Sequence, residues 1–305
     1  MNGMDADVER HLDGRGAIVT GSSRGIGRGV AHALVAQGAG VVVNGRDGAV
    51  AQAVVDEIRA EGGRAVAVAG SAASRPVAQE LVDAAQSEFG GVDILVNCAG
   101  VAEPPGSSIL TVTDEEWDDL VDAHLTATFR TCRLVAPLMA DRGSGAIVNT
   151  SSFAFLGDYG GTGYPAGKGA VNSLTLAIAA ELAESGVRAN VVCPGAKTRL
   201  SEGEEYAAHI EELHSRGMLD DASRYGSLNP APPEYVAQLY AFLASDLARS
   251  ITGQIFVGSG GFVGRFDRAA PTVLAYRDHN TEPPWTLGDL SGFVSREREV
   301  PPARA

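Results

Sequence analysis

The 305 residues are enough for one full-sized α/β domain with extensions, and a composition of 45% hydrophobic and 20% charged residues is typical of a soluble globular protein. The formal net charge of −14 disfavours nucleic acid and anionic membranes as partners. No apolar run approaches the roughly 20 residues that span a bilayer, and the acidic N-terminus lacks the apolar stretch of a signal peptide, so we expect a cytoplasmic protein.

Short β-branched runs alternate with longer amphipathic stretches along the chain, which predicts βαβ units and a parallel sheet. The runs are continuously apolar, as expected for strands that helices cover on both faces. The predicted strands lie at 16–21, 40–45, 64–70, 92–100, 145–151, 189–195 and 253–258. We therefore predict one domain over residues 15–261, between an N-terminal extension at 1–14 and a C-terminal extension at 262–305.

Two segments break this alternation. Residues 199–233 are polar and helix-prone, and a long insertion after a strand usually serves as a lid or binding loop. Seven acids against three arginines up to Arg224 argue against docking of a polyanion such as coenzyme A on this lid. The C-terminal extension contains PPWTLGDLSGFV, which resembles a short packed helix.

The cysteines and histidines indicate no disulfide framework and no metal site. Cys98, Cys132 and Cys193 form no CxxC pair, and the six histidines lack the spacing of metal ligands. Cys98 and Cys193 lie in apolar segments, where a buried small hydrophobe is a better interpretation than a reactive thiol.

A glycine-rich turn, TGSSRGIG at 20–27, joins the first predicted strand to the first predicted helix (29–37). Glycines there let the backbone approach a pyrophosphate at the helix N-terminus, where free N–H groups and the helix dipole favour anions. The strand–turn–helix context predicts a dinucleotide site. The residues predicted to line it are Gly21, Ser23, Arg24, Ile26 and Gly27.

The end of the second strand predicts which dinucleotide binds. NAD enzymes usually place an acid there for the ribose 2′-OH, whereas a 2′-phosphate needs cations. Here the strand ends Asn44-Gly45-Arg46, and Arg24 can reach the same place, so NADP(H) is preferred and NAD(H) remains possible. The alternative is that Arg46 is a solvated loop residue. If the preference holds, Gly45→Asp with Arg46→Leu should reverse it.

Four motifs together resemble those of the classical short-chain dehydrogenase/reductase family, in its order and spacing, over roughly 15–261. They are the turn at 20–27, Asn97-Cys98-Ala99-Gly100 for the NNAG motif, Tyr164-x-x-x-Lys168, and Cys193-Pro194-Gly195. The resemblance implies a doubly wound Rossmann-type fold with seven parallel strands, a small-molecule substrate, and a homodimer or homotetramer. It also implies that residues at the ends of the strands contact the cofactor, together with the tyrosine and the lysine. These residues are Ser71, where the family commonly has an aspartate, Asn97, Ala99, Gly100, Tyr164, Lys168, Pro194, Gly195 and Thr198.

Tyr164 and Lys168 lie four residues apart at the start of a predicted helix (164–184), so both side chains share one face. An unperturbed tyrosine, with a pKa of about 10, is a poor acid–base catalyst, and a nearby ammonium should lower that pKa towards working pH. The phenol would then exchange a proton with the substrate oxygen while a hydride moves at carbon. The resemblance adds that Lys168 holds the nicotinamide ribose.

The substrate-orienting serine has two candidates. The resemblance places it about 13 residues before the tyrosine, which is the spacing of Ser151. The position of the serine counted forward from Gly145, at the start of the strand, favours Ser152 instead. The loop that follows would then be one residue shorter than in the family. We predict Ser152.

His124 is the sharpest departure from the family pattern. It stands where the family has an asparagine that holds a water in a proton relay, and the hydroxyacyl-CoA dehydrogenase domains of multifunctional enzymes look similar here. Either His124 replaces that asparagine beneath Lys168, or it is a packed helix histidine. In the relay it should be neutral near neutral pH, and activity should decline in acid as it gains a proton.

The sequence predicts an NADP(H)-dependent oxidoreductase that acts on a ketone or secondary alcohol. Phe153, Phe155 and Tyr159 either form an aromatic pocket floor or belong to the core. The floor would suit a hydrophobic substrate such as a 3-oxoacyl chain, a polyketide, a terpenoid or a steroid. The alternative is a non-catalytic dinucleotide sensor or scaffold, a class that typically loses the tyrosine or lysine retained here.

Overall fold

The structure is a computed structural model that describes residues 10–199, 201, 203–268 and 270–297. Residues 1–9 of the predicted N-terminal extension, positions 200 and 202 of the predicted lid, and position 269 and residues 298–305 of the C-terminal extension lie outside the described residues. By internal contacts the chain divides into one unit that ends at Phe266 and a second that begins at Asp267.

The first unit is built on a sheet with the strand order β3-β2-β1-β4-β5-β6-β7-β8. Among the described residues, seven strands are parallel, as predicted, and only the β7–β8 pair is antiparallel. The strands are β1 (Gly16–Thr20), β2 (Gly40–Gly45), β3 (Arg64–Ala69), β4 (Ile94–Asn97), β5 (Gly145–Thr150), β6 (Val187–Gly195), β7 (Ile255–Ser259) and β8 (Phe262–Phe266). The winding direction reverses between β1 and β4, and such switch points are where ligands bind in doubly wound folds.

Helices cover both faces of the sheet, so the doubly wound fold is confirmed. They are α1 (Gly25–Ala36), α2 (Gly48–Ala60), α3 (Arg75–Phe89), α4 (Asp114–Val121), α5 (Ala127–Arg142), α6 (Gly163–Glu181), α7 (Glu204–Ser215), α8 (Asp221–Leu228) and α9 (Pro233–Ala244). One core lies between the sheet and α1, α2 and α9, and a second between the sheet and α3, α5 and α6. Branched aliphatic side chains fill both, which explains why the strands read as continuously apolar.

Three shorter elements bear on the site. A π-helical turn, Asp122–Thr126, joins α4 to α5 without a break. A 3₁₀ turn, Phe153–Leu156, follows β5, and the predicted lid segment folds into α7 and α8. π-helical turns inside helices occur frequently at functional sites.

The eighth strand was not predicted, and it lies in the segment that the sequence analysis assigned to the C-terminal extension. Its residues alternate irregularly between apolar and polar, and Gly264 interrupts them, so no strand pattern is visible. Phe266 contacts Phe153 and Phe155 on the 3₁₀ turn, with ring centroids 5.4 and 5.2 Å apart. The last strand therefore supports the turn that begins at Ser152.

The second unit contains the short helix expected from the sequence, α10 (Leu287–Glu297). The guanidinium of Arg277 lies 3.7 Å from the Trp285 ring centroid, and Trp285 meets Phe293 edge to face at 4.8 Å. Asp289 accepts hydrogen bonds from the backbone N–H and the hydroxyl of Thr286 at the start of the helix. Over the described residues, no helix is both long and apolar enough to cross a membrane.

Candidate active site

The predicted site residues lie at the carboxyl ends of the parallel strands, around the switch point between β1 and β4. Gly21 to Gly27 occupy the β1–α1 turn, Asn97 to Gly100 the end of β4, and Pro194 to Thr198 the end of β6. A Cβ atom added to Gly25 would lie 3.4 Å from the Thr198 side chain, so the turns after β1 and β6 meet.

The β1–α1 turn has the features of a phosphate cradle. Arg24, the residue before α1, makes no side-chain cap, and the first turn of α1 contains no acid, so its N–H groups lack a side-chain acceptor. Gly21 has φ +64°, and a Cβ there would lie 2.7 Å from the Ala99 Cα. The residues present therefore fit a dinucleotide pyrophosphate at this helix N-terminus. Ile26 packs against the core, which leaves only its backbone for such a contact.

Asn44 holds this turn and was missed by the sequence analysis. Its side-chain N–H₂ group donates to the carbonyl oxygens of Val68 (3.0 Å) and Gly70 (3.1 Å), and its Oδ1 accepts from the Gly21 N–H (3.3 Å). The available signal was a buried amide in an otherwise apolar strand, GVVVNG, because a buried polar group requires partners.

The end of β2 presents cations and no free acid. Arg24 and Arg46 are exposed, as is Ser71 beyond β3. The nearest carboxylate, Asp47, accepts from the N–H groups of Ala49 (3.0 Å) and Val50 (3.3 Å) and so caps α2.

The predicted reversal of cofactor preference by Gly45→Asp with Arg46→Leu requires Ser23 in the glycine turn to move. A Cβ at position 45 would lie 2.4 Å from the Ser23 Oγ and 2.6 Å from the Ser23 Cβ. An aspartate there would therefore require Ser23 to shift.

The Asn97 side chain belongs to a buried hydrogen-bond network, which leaves the main chain of Asn97 for the predicted cofactor contact. Its Nδ2 donates to Asn149 Oδ1 (2.9 Å), and its Oδ1 accepts from the hydroxyls of Thr131 (2.8 Å) and Thr20 (3.3 Å). Asn149 in turn donates to Thr175 (2.9 Å). This buried network joins β1, β4 and β5 to α5 and α6, and it takes up the polar groups of Asn97.

Ser152 and Tyr164 come together, whereas Ser151 points elsewhere. Burial raises the pKa of the Tyr164 hydroxyl, and the nearby Ser152 side chain opposes that rise. Ser151 is buried and donates to the carbonyl oxygen of Lys168 at 3.0 Å. Of the two candidate serines, only Ser152 is therefore placed to share a substrate oxygen with Tyr164.

Lys168 lies beside Tyr164 in the buried part of the site. Its Nζ is 5.5 Å from the Tyr164 ring centroid and donates to the Thr150 carbonyl oxygen at 3.0 Å. Burial lowers the pKa of Lys168 from 10.5 to about 8.

The pKa of Tyr164 differs from the expectation. Burial raises it above its ordinary value, and the neighbouring Ser152 side chain only partly opposes that rise. The expected net lowering of that pKa is not seen, because burial of the phenol is the largest effect in the structure. In this structure Tyr164 is therefore a protonated phenol at neutral pH, which suits a proton donor.

His124 lies in the π-helical turn, with its ring 4.9 Å from the Tyr164 ring at an interplanar angle of 86°. Its Nε2 bonds the carbonyl oxygen of Val101 at 3.0 Å, and its buried Nδ1 has no hydrogen-bond partner. Burial, with a contribution from Lys168, lowers the pKa of His124 from 6.5 to about 2. The expected acid decline from His124 protonation is therefore corrected: the ring is neutral throughout the working pH range.

The three aromatic residues of the expected pocket floor have separate contacts. Phe155 packs in a small core cluster with Val191 and Val257, and Phe153 is 40% exposed beside Phe266. Tyr159 packs against the lid helices. A cleft beneath that lid is lined by Lys197, Ser201, Tyr206, Ser227, Leu228 and Asn229 among others.

All three cysteines are free thiols. Burial raises the pKa of Cys98 and of Cys193 to about 11 and that of Cys132 to about 12. Cys193 is buried and Cys98 is half-buried against the core, which agrees with their interpretation as small hydrophobic residues. In the described part of the chain, no group of three or more potential ligand residues is placed to hold a metal ion.

Comparisons with known proteins agree with this geometry. Residues 15–205 match the family described as short chain dehydrogenase. A hydroxyacyl-CoA dehydrogenase of Mycobacterium tuberculosis is 38% identical over 263 residues, which cover 82% of this chain and 78% of that protein. A 3-oxoacyl-(acyl-carrier-protein) reductase of Staphylococcus epidermidis is 36% identical over 253 residues, which cover 81% and 98%.

Among solved structures, a short chain dehydrogenase from Mycobacterium avium superposes with a TM-score of 0.75 at 33% identity, covering 94% of this chain and 95% of that one. The family and the enzyme class expected from the sequence are thus confirmed. The chain belongs to the short-chain dehydrogenase/reductase family of oxidoreductases that act on CH–OH groups.

Proposed function

We propose that this enzyme is an NADP(H)-dependent reductase or dehydrogenase that interconverts a ketone and a secondary alcohol on a hydrophobic substrate. The observation that carries the proposal is the joint placement of Ser152, Tyr164 and Lys168 at the carboxyl edge of the sheet, next to an uncapped helix N-terminus. We further propose a cytoplasmic protein and, as the family resemblance implies, a homodimer or homotetramer.

The arrangement supports a proton transfer at the substrate oxygen. In reduction, Ser152 and the Tyr164 hydroxyl donate hydrogen bonds to the carbonyl oxygen and so polarise the C=O bond. Hydride transfer at the carbonyl carbon is the chemistry that a nicotinamide supplies when bound. As the C=O electron pair moves to oxygen, Tyr164 gives that oxygen its proton, and the Lys168 ammonium stabilises the resulting phenolate. In oxidation each step runs in reverse.

The substrate that we propose carries a 3-oxoacyl or 3-hydroxyacyl centre or a related polyketide, terpenoid or steroid ketone. The two relatives named above differ in their carrier and share this acyl chemistry in their names. Two of the three lid arginines are engaged within the lid itself: Arg224 pairs with Glu211 at 2.5 Å, and Arg216 with Glu212 at 3.4 Å. A carrier rich in phosphate therefore gains little there, and we propose that the lid accepts an uncharged substrate.

The experiment that tests this function follows NADPH and NADH oxidation with three ketones: a 3-oxoacyl N-acetylcysteamine thioester, the matching coenzyme A thioester, and a bicyclic ketone. We expect NADPH to exceed NADH in kcat/KM by at least tenfold, about 1.4 kcal/mol, because Arg24 and Arg46 offer two charge-assisted contacts to a 2′-phosphate. We also expect the neutral thioester to equal or exceed the coenzyme A thioester.

The controls for cofactor choice are leucine variants. Arg24→Leu and Arg46→Leu should each weaken the NADPH preference, while Arg249→Leu should not. Arg249 is also exposed but lies with Asp93 and Gly145 at the amino ends of the strands. Equal use of both cofactors by the unaltered enzyme would refute the NADP(H) assignment.

His124 gives a second test of the proposed site. His124→Ala should lower kcat about tenfold or more while NADPH affinity is retained, because the ring contacts Tyr164 and holds Val101. His124→Asn should keep much of the activity. Since the pKa of His124 lies at about 2, the asparagine variant should leave the acid limb of the kcat profile where it is. If alanine lowers only the melting temperature, His124 is a packing residue.

A further inference from the structure

The helix that carries Tyr164 and Lys168 does not cap itself. Thr162, the residue before α6, makes no side-chain cap, and the first turn contains no acid. A residue about sixty positions earlier supplies the cap instead. The Glu103 carboxylate accepts from the N–H groups of Thr162 (3.0 Å), Gly163 (3.3 Å) and Tyr164 (2.5 Å). These are the orphan donors of a helix N-terminus, where a negative charge is favoured.

The surroundings of Glu103 are shaped for this contact. Gly161 has φ +77°, and a Cβ there would lie 2.8 Å from both Cγ and Cδ of Glu103, so the approach requires glycine. Ser107 donates a further hydrogen bond to Oε1 at 2.7 Å. Burial alone would raise the pKa of Glu103, but the hydrogen bonds from Thr162, Ser107, Tyr164 and Gly163 outweigh it and lower that pKa. Glu103 is thus a carboxylate at neutral pH.

The same segment is fixed at a second point. Val101, two residues before Glu103, accepts the hydrogen bond from His124, whose ring packs against Tyr164. Residues 101–107, which we call the strap, therefore make two contacts next to the Tyr164 side chain. The Glu103 carboxylate accepts from the Tyr164 backbone N–H, and the Val101 carbonyl oxygen accepts from the His124 ring. A shift of the strap would move both.

We propose that Glu103 is a positioning residue: its carboxylate fixes the first turn of α6 and thereby sets where the Tyr164 hydroxyl stands relative to Ser152. The proposal rests on the proposed function, because it assumes that Tyr164 donates the proton. Glu103 binds Tyr164 through the main chain, so its effect should appear in turnover and not in cofactor affinity. Misplacement of a reacting group by about 1 Å can cost on the order of 10²-fold in rate.

The test uses an isosteric variant first. In Glu103→Gln one carboxylate oxygen becomes an N–H₂ group, which cannot accept from the α6 amides, so at least one of these hydrogen bonds is lost. We expect kcat to fall about tenfold, which corresponds to one charge-assisted hydrogen bond, and Glu103→Ala to fall on the order of 10²-fold. NADPH affinity, measured by fluorescence titration, should stay within about twofold.

A double-mutant cycle separates the possible outcomes. If Glu103 acts through Tyr164, Glu103→Gln should cause no further loss in the Tyr164→Phe background. The matched control is Asp289→Asn, which removes a capping carboxylate at α10 and should leave kcat unchanged. If Tyr164→Phe is impaired but Glu103→Gln is unimpaired, additive, or lowers only the melting temperature, the proposal is overturned and the proposed function stands. If Tyr164→Phe is fully active, both fall.

Discussion

Tyr164→Phe should lower turnover on the order of 10² to 10⁴-fold, while NADPH still binds. The change removes the proton donor and keeps the ring, so the edge-to-face contact with His124 and the packing of the first turn of α6 remain. Turnover is measured by NADPH oxidation with the panel ketones, and binding by fluorescence titration.

Tyr235→Phe is the matched control for that experiment. Tyr235 is 61% exposed on α9, and its variant should retain full activity. More than a tenth of the activity remaining in Tyr164→Phe would show that another group donates the proton.

Lys168→Met should damage both turnover and cofactor binding, with turnover reduced on the order of 10²-fold or more. The variant keeps most of the buried stem and removes the ammonium, which stabilises the phenolate and, by the family resemblance, holds the nicotinamide ribose. Loss of cofactor affinity distinguishes Lys168 from Tyr164 and from Glu103, whose variants should bind NADPH normally.

Lys168→Met should also change how the stability of the cofactor-free protein depends on pH. The pKa of Lys168 is about 8 in the folded state against 10.5 in the unfolded chain, so the unfolded state binds more protons between these pH values. The stability of the unaltered protein should therefore rise relative to Lys168→Met between pH 8 and 10.5, by up to about 3 kcal/mol. Urea unfolding at several pH values measures this difference, and parallel curves would show that the lysine is not buried as described.

The doubly wound fold followed from the sequence because its signals are local. The apolar runs of β1 to β7 have no polar alternation to confuse them with exposed strands, and each is followed by a helix or a turn. Strand β8 was missed for the opposite reason. Its sequence, FVGRF, is short, contains a glycine, and becomes a strand only through its antiparallel partner β7 and the contact of Phe266 with two aromatic rings.

The candidate site was predictable where chemistry requires a fixed spacing and unpredictable where it depends on distant contacts. Tyr164 and Lys168 share a helix face because of their spacing alone. The side chain of Asn97 is committed to Asn149, 52 positions away, and no local signal reveals that partner. Glu103 likewise acquires its role from residues about sixty positions later. The raised pKa of Tyr164 reflects burial, which spacing does not report.

Strand β8 has a consequence for how the molecule meets other copies of itself. By pairing with β7, it forms hydrogen bonds with backbone groups that would otherwise be unpaired at the edge of the sheet. Strand β8 is now the edge strand; it is five residues long, contains Gly264, and has Arg265 exposed. Short strands with a glycine and an exposed charge are poor templates for further strand addition. The chain thus ends its sheet on a short strand that contains a glycine, in place of the open parallel edge that β7 would present.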